Sequence, residues 1–227
     1  MTQDKSKHPT NRGKPSHGFA GLVSFLRAPV CHDLSQLDAD IAVMGAPTDE
    51  GSPFMPGSRL GSRSIREHSL RFGNDGYFDH DTDKVFLKYE LNNDRIVDVG
   101  DADVVPADVE GTFENITNLT RMVLDSGAMP VVLGGDHAIT FPVVRAYNKP
   151  LHVVHFDAHI DYSPFVHGYQ YTNSHAFRHI HHMDHVKSLT QVGIRSIRNN
   201  KAWIDDSIND GNRVIGMKEF GEKGPNG

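Results

Sequence analysis

The segment HFDAHIDY, residues 155–162, carries side chains that could bind a metal ion. Asp157, His159 and Asp161 occupy alternate positions directly after an apolar run. Two carboxylates and an imidazole are costly beside a buried strand unless something compensates them. In extended chain, residues i, i+2 and i+4 point the same way. These three side chains are therefore expected to project together if the extended geometry persists beyond Phe156.

A second polar pair, Asp136 and His137, follows the apolar run MPVVLGG (129–135). Ligands of open α/β sheets bind beyond the carboxyl ends of the strands, so two such ends can share one site. Carboxylates with neutral imidazoles suit a divalent ion such as Mn²⁺, with Zn²⁺, Ni²⁺ or Fe²⁺ as alternatives. A solvated loop or a helix N-cap would explain one acidic strand end alone. Two such ends together favour a metal site.

The composition excludes several classes of protein. The 227 residues are 37% hydrophobic and 23% charged, which is typical of a globular domain and not of a disordered chain. A formal net charge of −6 argues against nucleic acid or an anionic membrane as the main partner. No run reaches the roughly 18 apolar residues of a membrane helix. The single cysteine, Cys31, excludes an internal disulfide and favours a cytoplasmic location.

Apolar runs alternate with helical patterns, which indicates an α/β fold with a mainly parallel sheet. The predicted strands are residues 40–45, 95–100, 129–135, 151–156, 189–194 and 213–217. The predicted helices are residues 62–72, 108–126, 141–147 and 174–183. Residues 1–17 are polar and are predicted to form a flexible tail, and residues 18–227 are predicted to form one domain.

Two motifs resemble the signature motifs of the ureohydrolase family, the arginases and agmatinases. They are GGDHAIT (134–140) and HFDAHIDY (155–162). Three further segments resemble the agmatinase branch: residues 18–29, 45–69 and 192–196. The resemblance implies a three-layer α/β/α, arginase-like fold around a mainly parallel sheet. It also implies two Mn²⁺ ions at the strand ends, with Ni²⁺ or Zn²⁺ as alternatives.

The resemblance further implies roles for individual residues. The implied metal ligands are His137, Asp157, His159 and Asp161. Asp157 would bridge two ions, and His159 would belong to the second of them. A hydroxide between the ions would attack the guanidinium carbon and hydrolyse agmatine to putrescine and urea. His175 would handle protons near the leaving amine, as its pKa range suits, although Ala176 stands where the family usually has glycine.

One family motif, Asp-x-Asp-x-x-Asp-Pro, is absent from the sequence. WIDDSIND (203–210) lacks its spacing and its proline, and Asp98, Asp101 and Asp103 are predicted to be structural. The sequence therefore predicts a C-terminally truncated chain in which one ion keeps three ligands and the other only two. Three hypotheses stay open: part of a Mn²⁺-dependent ureohydrolase, a non-catalytic subunit, or a mononuclear metal-binding protein.

The substrate is predicted to be agmatine, with guanidinobutyrase or guanidine hydrolase activity as alternatives. The loop 163–174 is predicted to set specificity, and its lack of lysine and arginine favours a cationic or neutral substrate. The tyrosines that could line a channel or pack the loop down are Tyr162, Tyr169 and Tyr171. The histidines predicted to lie on the surface are His179, His181, His182 and His185. Beyond the guanidino substrate, the resemblance implies a homo-trimer or homo-hexamer.

Overall fold

The computed structural model describes residues 17–72 and 76–224. The predicted tail lies outside these residues except for His17. The chain divides into two compact units. One comprises Met1–Pro47, Leu60–Asp101 and Met122–Leu133, and the other comprises Thr48–Arg59, Ala102–Arg121 and Gly134–Gly227.

Eight strands and seven α-helices occur among the described residues. In chain order they are β1 Ile41–Ala46, α1 Gly61–Ser69, β2 Tyr77–Asp79, β3 Lys84–Phe86, α2 Lys88–Asn92, β4 Ile96–Asp101, α3 Val109–Asp125, β5 Met129–Gly134, α4 Thr140–Arg145, β6 Leu151–Phe156, α5 Ala176–His181, β7 Val186–Ile194, α6 Lys201–Asn209, β8 Arg213–Gly216 and α7 Met217–Lys223. All six predicted strands and all four predicted helices are confirmed.

The first unit contains a three-stranded sheet in the order β4-β1-β5. The β1 and β4 strands run parallel, with Ile41 opposite Ile96. Side chains of β1 are almost completely buried, as its continuous apolar sequence indicates. The hairpin of β2 and β3 and the short helix α2 were not predicted, because each is only three to five residues long.

The second unit contains a sheet in the order β6-β7-β8, with all neighbouring strands parallel. The helices α4 and α5 pack with this sheet around a core that includes Tyr162, Phe177 and Leu189. The helix α7 begins at Met217, where the sequence predicted the last residue of a strand. Met217 and Phe220 are apolar like the residues of β8, so the sequence alone does not show where the strand ends and the helix begins. Among the described residues, none of the helices has the length and hydropathy that a membrane crossing requires.

Candidate metal centre

The loop after β6 does not continue the strand, so the expected extended geometry beyond Phe156 is wrong. The Asp157 carboxylate turns the chain locally, since its Oδ1 accepts a hydrogen bond from the His159 backbone N–H at 2.9 Å. Asp161 has a φ of 44°, in the left-handed region, where aspartate is one of the better tolerated residues. The side chains converge through this turn and not through strand alternation.

Asn199, in the segment after β7, holds this loop in place. Its Oδ1 accepts a hydrogen bond from the Ile160 N–H at 2.9 Å, and its Nδ2 donates to the Ala158 carbonyl at 3.0 Å. The backbone N–H of Arg195 donates to the same carbonyl at 3.0 Å. The carboxylates of the loop are therefore presented on a backbone that the neighbouring strand end supports.

His137 enters the site from a 3₁₀ helix, His137–Ile139, that follows β5. Asp136 caps this helix, because its carboxylate accepts a hydrogen bond from the Ala138 N–H at 2.8 Å. His137 Nδ1 lies 2.7 Å from Asp161 Oδ2 and 3.2 Å from Asp157 Oδ2. The two predicted strand ends thus meet at one point.

Two more histidines flank Asp157. His159 Nδ1 lies 3.2 Å from Asp157 Oδ1, with its side chain 48% exposed. His155 Nε2 lies 3.5 Å from Asp157 Oδ2 and is buried. The potential ligand atoms of His137, His155, Asp157 and Asp161 all lie within 4.8 Å of one another. His155 was not predicted, although an imidazole inside an apolar strand, two residues before Asp157, could have indicated it.

The electrostatics of the cluster reflect its burial and its two carboxylates. Burial alone would lower the pKa of His137, but the adjacent Asp161 and Asp157 outweigh it and the pKa is raised. Burial and the neighbouring His137 lower the pKa of His155 to about 4. Burial opposes ionisation of Asp157, yet the His159 N–H and the nearby imidazole of His137 lower its pKa. The site therefore favours an ionised Asp157 carboxylate beside a protonated His137.

The donor set fits a divalent cation. Neither Asp157 nor Asp161 forms an ion pair with a lysine or arginine of the described residues, so histidines are their only cationic partners there. His137, Asp157 and Asp161 supply three convergent ligands of the mixed nitrogen and oxygen type that Mn²⁺ and Zn²⁺ accept. His159, predicted to bind a second ion, lies beside Asp157 but outside the group of converging ligand atoms.

A cavity of about 420 Å³ opens onto these ligands. Its wall includes Phe54 and Trp203, and the polar side chains of Asn173 and Ser174. Arg198 also lines it and is exposed. Among the described residues, the Arg198 guanidinium forms no ion pair with a carboxylate. The cavity thus combines an acidic floor with one cationic side chain on its wall.

The chain matches the Arginase family over residues 39–227. It belongs to this family. It is 34% identical to guanidinopropionase of Pseudomonas aeruginosa over 212 residues, which are 91% of this chain and 64% of that protein. It is 31% identical to the mitochondrial agmatinase of Gallus gallus over 180 residues, 77% of this chain and 50% of that protein.

The solved structure of proclavaminate amidino hydrolase from Streptomyces clavuligerus superposes with a TM-score of 0.78 at 29% identity. The match covers 92% of this chain and 68% of that one. The predicted arginase-like α/β fold, with mainly parallel sheets, is therefore confirmed. The chain spans 51%, 66% and 64% of the length of three of the curated relatives that it matches.

His175, the predicted proton carrier, is buried and does not line the cavity. Its Nδ1 lies 2.7 Å from the Thr172 hydroxyl, and its Nε2 lies 3.3 Å from the Pro164 carbonyl. Because a carbonyl only accepts, Nε2 donates and Nδ1 accepts from Thr172. Burial lowers the pKa of His175. In this arrangement both ring nitrogens are engaged by the loop, and the catalytic role stays a prediction.

Three of the four histidines predicted to lie on the surface are partly buried, and only His182 is exposed. His179 stacks on Phe141 with ring centroids 4.3 Å apart. His181 forms a hydrogen bond with Asn212, and His185 forms one with the backbone carbonyl of Val144. These rings pack against aromatic and backbone groups that sequence spacing alone does not reveal.

The loop tyrosines do not line the cavity. Tyr162 is fully buried and donates a hydrogen bond to Asp210 Oδ2 at 2.7 Å. Tyr171 stacks on Phe141, and Tyr169 is exposed. Tyr162 and Tyr171 therefore pack against other residues, in agreement with the alternative prediction, whereas Tyr169 faces solvent and fits neither alternative. The acidic residues of WIDDSIND contact side chains outside the metal centre. Asp206 pairs with Arg178, and Asp210 accepts the hydrogen bond from Tyr162.

Proposed function

We propose that this chain is part of a metal-dependent hydrolase that cleaves a linear guanidino compound to urea and an amine. The convergence of His137 Nδ1 with the carboxylates of Asp157 and Asp161 carries the proposal. Membership of the Arginase family supports it. Relatives named guanidinopropionase and agmatinase support the class of substrate.

His137, Asp157 and Asp161 would hold one ion, which we propose is Mn²⁺, and Asp157 with His159 would contribute to a second. A bound divalent ion supplies a nucleophile at neutral pH, because it lowers the pKa of water, and it stabilises negative charge that develops in the transition state. The chain's own residues orient the ligands, and the cavity receives the substrate. Cytoplasmic location and assembly as a homo-trimer or homo-hexamer stay predictions.

Agmatine is the substrate that the sequence predicts, and Arg198 favours a second candidate. The predicted specificity loop, residues 163–174, contains no lysine or arginine. Arg198, outside this loop, nevertheless lines the cavity. A guanidinium binds a carboxylate in a bidentate manner and repels an ammonium group. An arginine that has no carboxylate partner among the described residues favours a guanidino acid over agmatine, whose far end is a cation.

The first experiment is to measure Mn²⁺ per chain by elemental mass spectrometry after loading and desalting, followed by urea release from agmatine and from 4-guanidinobutanoate. About one tightly held ion, or more, supports the metal centre, and urea release supports the activity. A chain that retains no ion would overturn the metal centre. Urea is not expected from the variant Asp157→Asn with either substrate.

Arg198→Gln distinguishes the two substrates. For a guanidino acid we expect KM to rise about tenfold to a hundredfold, since a charged contact is lost. For agmatine we expect KM to fall or stay constant. Lys201→Gln, at an exposed position nearby, is the matched control. Equal KM changes for both substrates would contradict the role of Arg198.

A further inference from the structure

His155 is buried beside the metal centre, and the side chains around it are also buried. It is 3% exposed, and its ring stacks on Phe177 with centroids 3.7 Å apart. Gln191, from β7, is completely buried, and its side-chain amide contacts His155 Nδ1. The other ring nitrogen, Nε2, is the one near Asp157. His155 therefore has little freedom to turn. Its Nε2 is buried and forms no hydrogen bond within the described part of the chain, and the carboxylate oxygen Asp157 Oδ2 lies 3.5 Å from it.

The orientation of the Gln191 amide is determined by its other contacts. Its Nε2 donates to the Ile160 carbonyl at 2.6 Å, and carbonyls only accept. Its Oε1 accepts from the Ser207 hydroxyl at 2.7 Å. Ser207 in turn accepts a hydrogen bond from Asn212 Nδ2 at 3.2 Å. The nitrogen end of Gln191 must therefore face His155.

The amide nitrogen of Gln191 has a second hydrogen, and it is directed at His155 Nδ1, 3.1 Å away. Nδ1 must then be the accepting nitrogen, which places the ring hydrogen of neutral His155 on Nε2. The nitrogen that carries it lies 3.5 Å from Asp157 Oδ2. A ring nitrogen that carries a hydrogen has no lone pair for a metal, so His155 is not a ligand although it lies within the cluster.

We propose that His155 is a positioning residue, which Gln191 and Ser207 hold in the Nε2–H form so that it donates to Asp157 and orients that carboxylate toward the metal. The inference rests on the proposed metal centre. It names a chain of buried side chains, Asn212, Ser207, Gln191 and His155, that ends at a ligand. Hydrogen-bond partners behind a metal ligand commonly change metal affinity by about 10–100-fold when removed.

The metal-free chain tests the first half of the inference. Two-bond ¹H–¹⁵N NMR distinguishes the histidine tautomers, and His155→Phe assigns the signal of His155. We expect the Nε2–H tautomer, with Nδ1 shifted as an acceptor. The Nδ1–H tautomer would overturn the proposal. In Gln191→Met we expect the tautomer preference to weaken, because the donor is gone.

Calorimetric titration with Mn²⁺ tests the second half. We expect His155→Phe, which keeps an aromatic ring against Phe177, to bind Mn²⁺ about 10–100-fold more weakly. His155→Gln keeps an N–H at the position of Nε2 and is expected to stay within about threefold of the wild-type chain. His152→Phe, at an exposed position of the same strand, is the control. Unchanged affinity in His155→Phe would overturn the proposal.

A spectroscopic count of imidazole ligands separates positioning from ligation. Electron spin echo modulation of the Mn²⁺ complex detects coordinated nitrogen. We expect the same signal in the wild-type chain and in His155→Gln, and a reduced signal in His137→Gln. Loss of a nitrogen coupling in His155→Gln would make His155 a ligand and overturn the inference. A chain with the Nε2–H tautomer that binds no Mn²⁺ would overturn only the metal centre.

Discussion

Two acidic strand ends in this molecule carry similar side chains but differ in their cations. At the end of β4, Asp98 and Asp101 face Arg66, whose Nε donates to Asp98 Oδ2 at 2.8 Å. After β6, Asp157 and Asp161 face histidines only, within the described residues. The first pair of carboxylates has one permanently charged side chain beside it, and the second pair has none within the described residues.

The difference indicates what each end does. Arginine is always charged, so the acidic residues of β4 are compensated at any pH near neutrality. Histidine carries a charge only when protonated, so the residues after β6 need a proton or an added cation. An acidic strand end with its own buried arginine is therefore structural. The acidic strand end with histidines alone is the one that we propose as a ligand site.

Replacing Arg66 is expected to have the largest effect on the free energy of unfolding. Arg66→Met would leave two carboxylates without their cation, one of them buried, and we expect the free energy of unfolding to fall by about 3–5 kcal/mol. Urea denaturation measures it. Arg63→Met, at an exposed position of the same helix, should change little. A loss below about 1 kcal/mol for Arg66→Met would remove the contrast between the two ends.

Removing a carboxylate after β6 is expected to act through the metal. Mn²⁺ at a hundred times its Kd should raise the free energy of unfolding of the wild-type chain by about 2.7 kcal/mol. In Asp157→Asn we expect no such increase, and the metal-free variant should lose only about 1 kcal/mol or less, because the asparagine oxygen can still accept a hydrogen bond from the His159 N–H. Asp184→Asn serves as the exposed control. A metal-free Asp157→Asn that unfolds readily would make this end structural too.

Asn199 tests whether the loop backbone or the carboxylates alone make the site. Asn199→Ala would leave the Ile160 N–H without its partner, and we expect a loss of about 1–2 kcal/mol in unfolding free energy together with weaker Mn²⁺ binding. Asn209→Ala, at the exposed end of α6, should leave both unchanged. Normal metal affinity in Asn199→Ala would show that the loop keeps its geometry without this support.

Asp49 is a further carboxylate that has its own arginine partner, Arg59. Arg59 Nε donates to Asp49 Oδ1 at 2.5 Å, and the Gly57 N–H donates to Oδ2 at 2.6 Å. The bond with Arg59 is the main cause that lowers the pKa of Asp49 to about 2. Its contribution to stability is therefore complete above pH 3.8 and is lost as the pH falls from 3.8 toward about 2.

We expect this contribution to be the smallest of the four, because Arg59 is half exposed and solvent screens the pair. Urea denaturation at several pH values between about 2 and 5 should show a shallower acid dependence in Asp49→Asn than in the wild-type chain. Asp184→Asn should keep the wild-type slope. Equal slopes in Asp49→Asn and the wild-type chain would contradict the assignment.

The proposed metal ligands could be selected from the sequence because strand ends and residue types are local properties. Asp157, Asp161 and His137 were expected to lie together because each follows the carboxyl end of a predicted strand, whereas the turn that brings them together was not predicted. The role of His155 could not be predicted, because it depends on Gln191, which lies 36 residues further along the chain. Arg66 likewise meets Asp98 across 32 residues. Contacts between residues so far apart in sequence depend on how the chain packs. The formation of helices as short as α2 and α7 depends on packing as well.

The left-handed backbone of Asp161 restricts which residues position 161 can accept. Glycine, asparagine and aspartate tolerate this conformation, whereas a longer or β-branched side chain is strained there. Of the three, aspartate alone provides an anionic ligand. In a library with every amino acid at position 161, selection for folding would therefore enrich glycine, asparagine and aspartate. Selection for metal binding would enrich aspartate alone among these three.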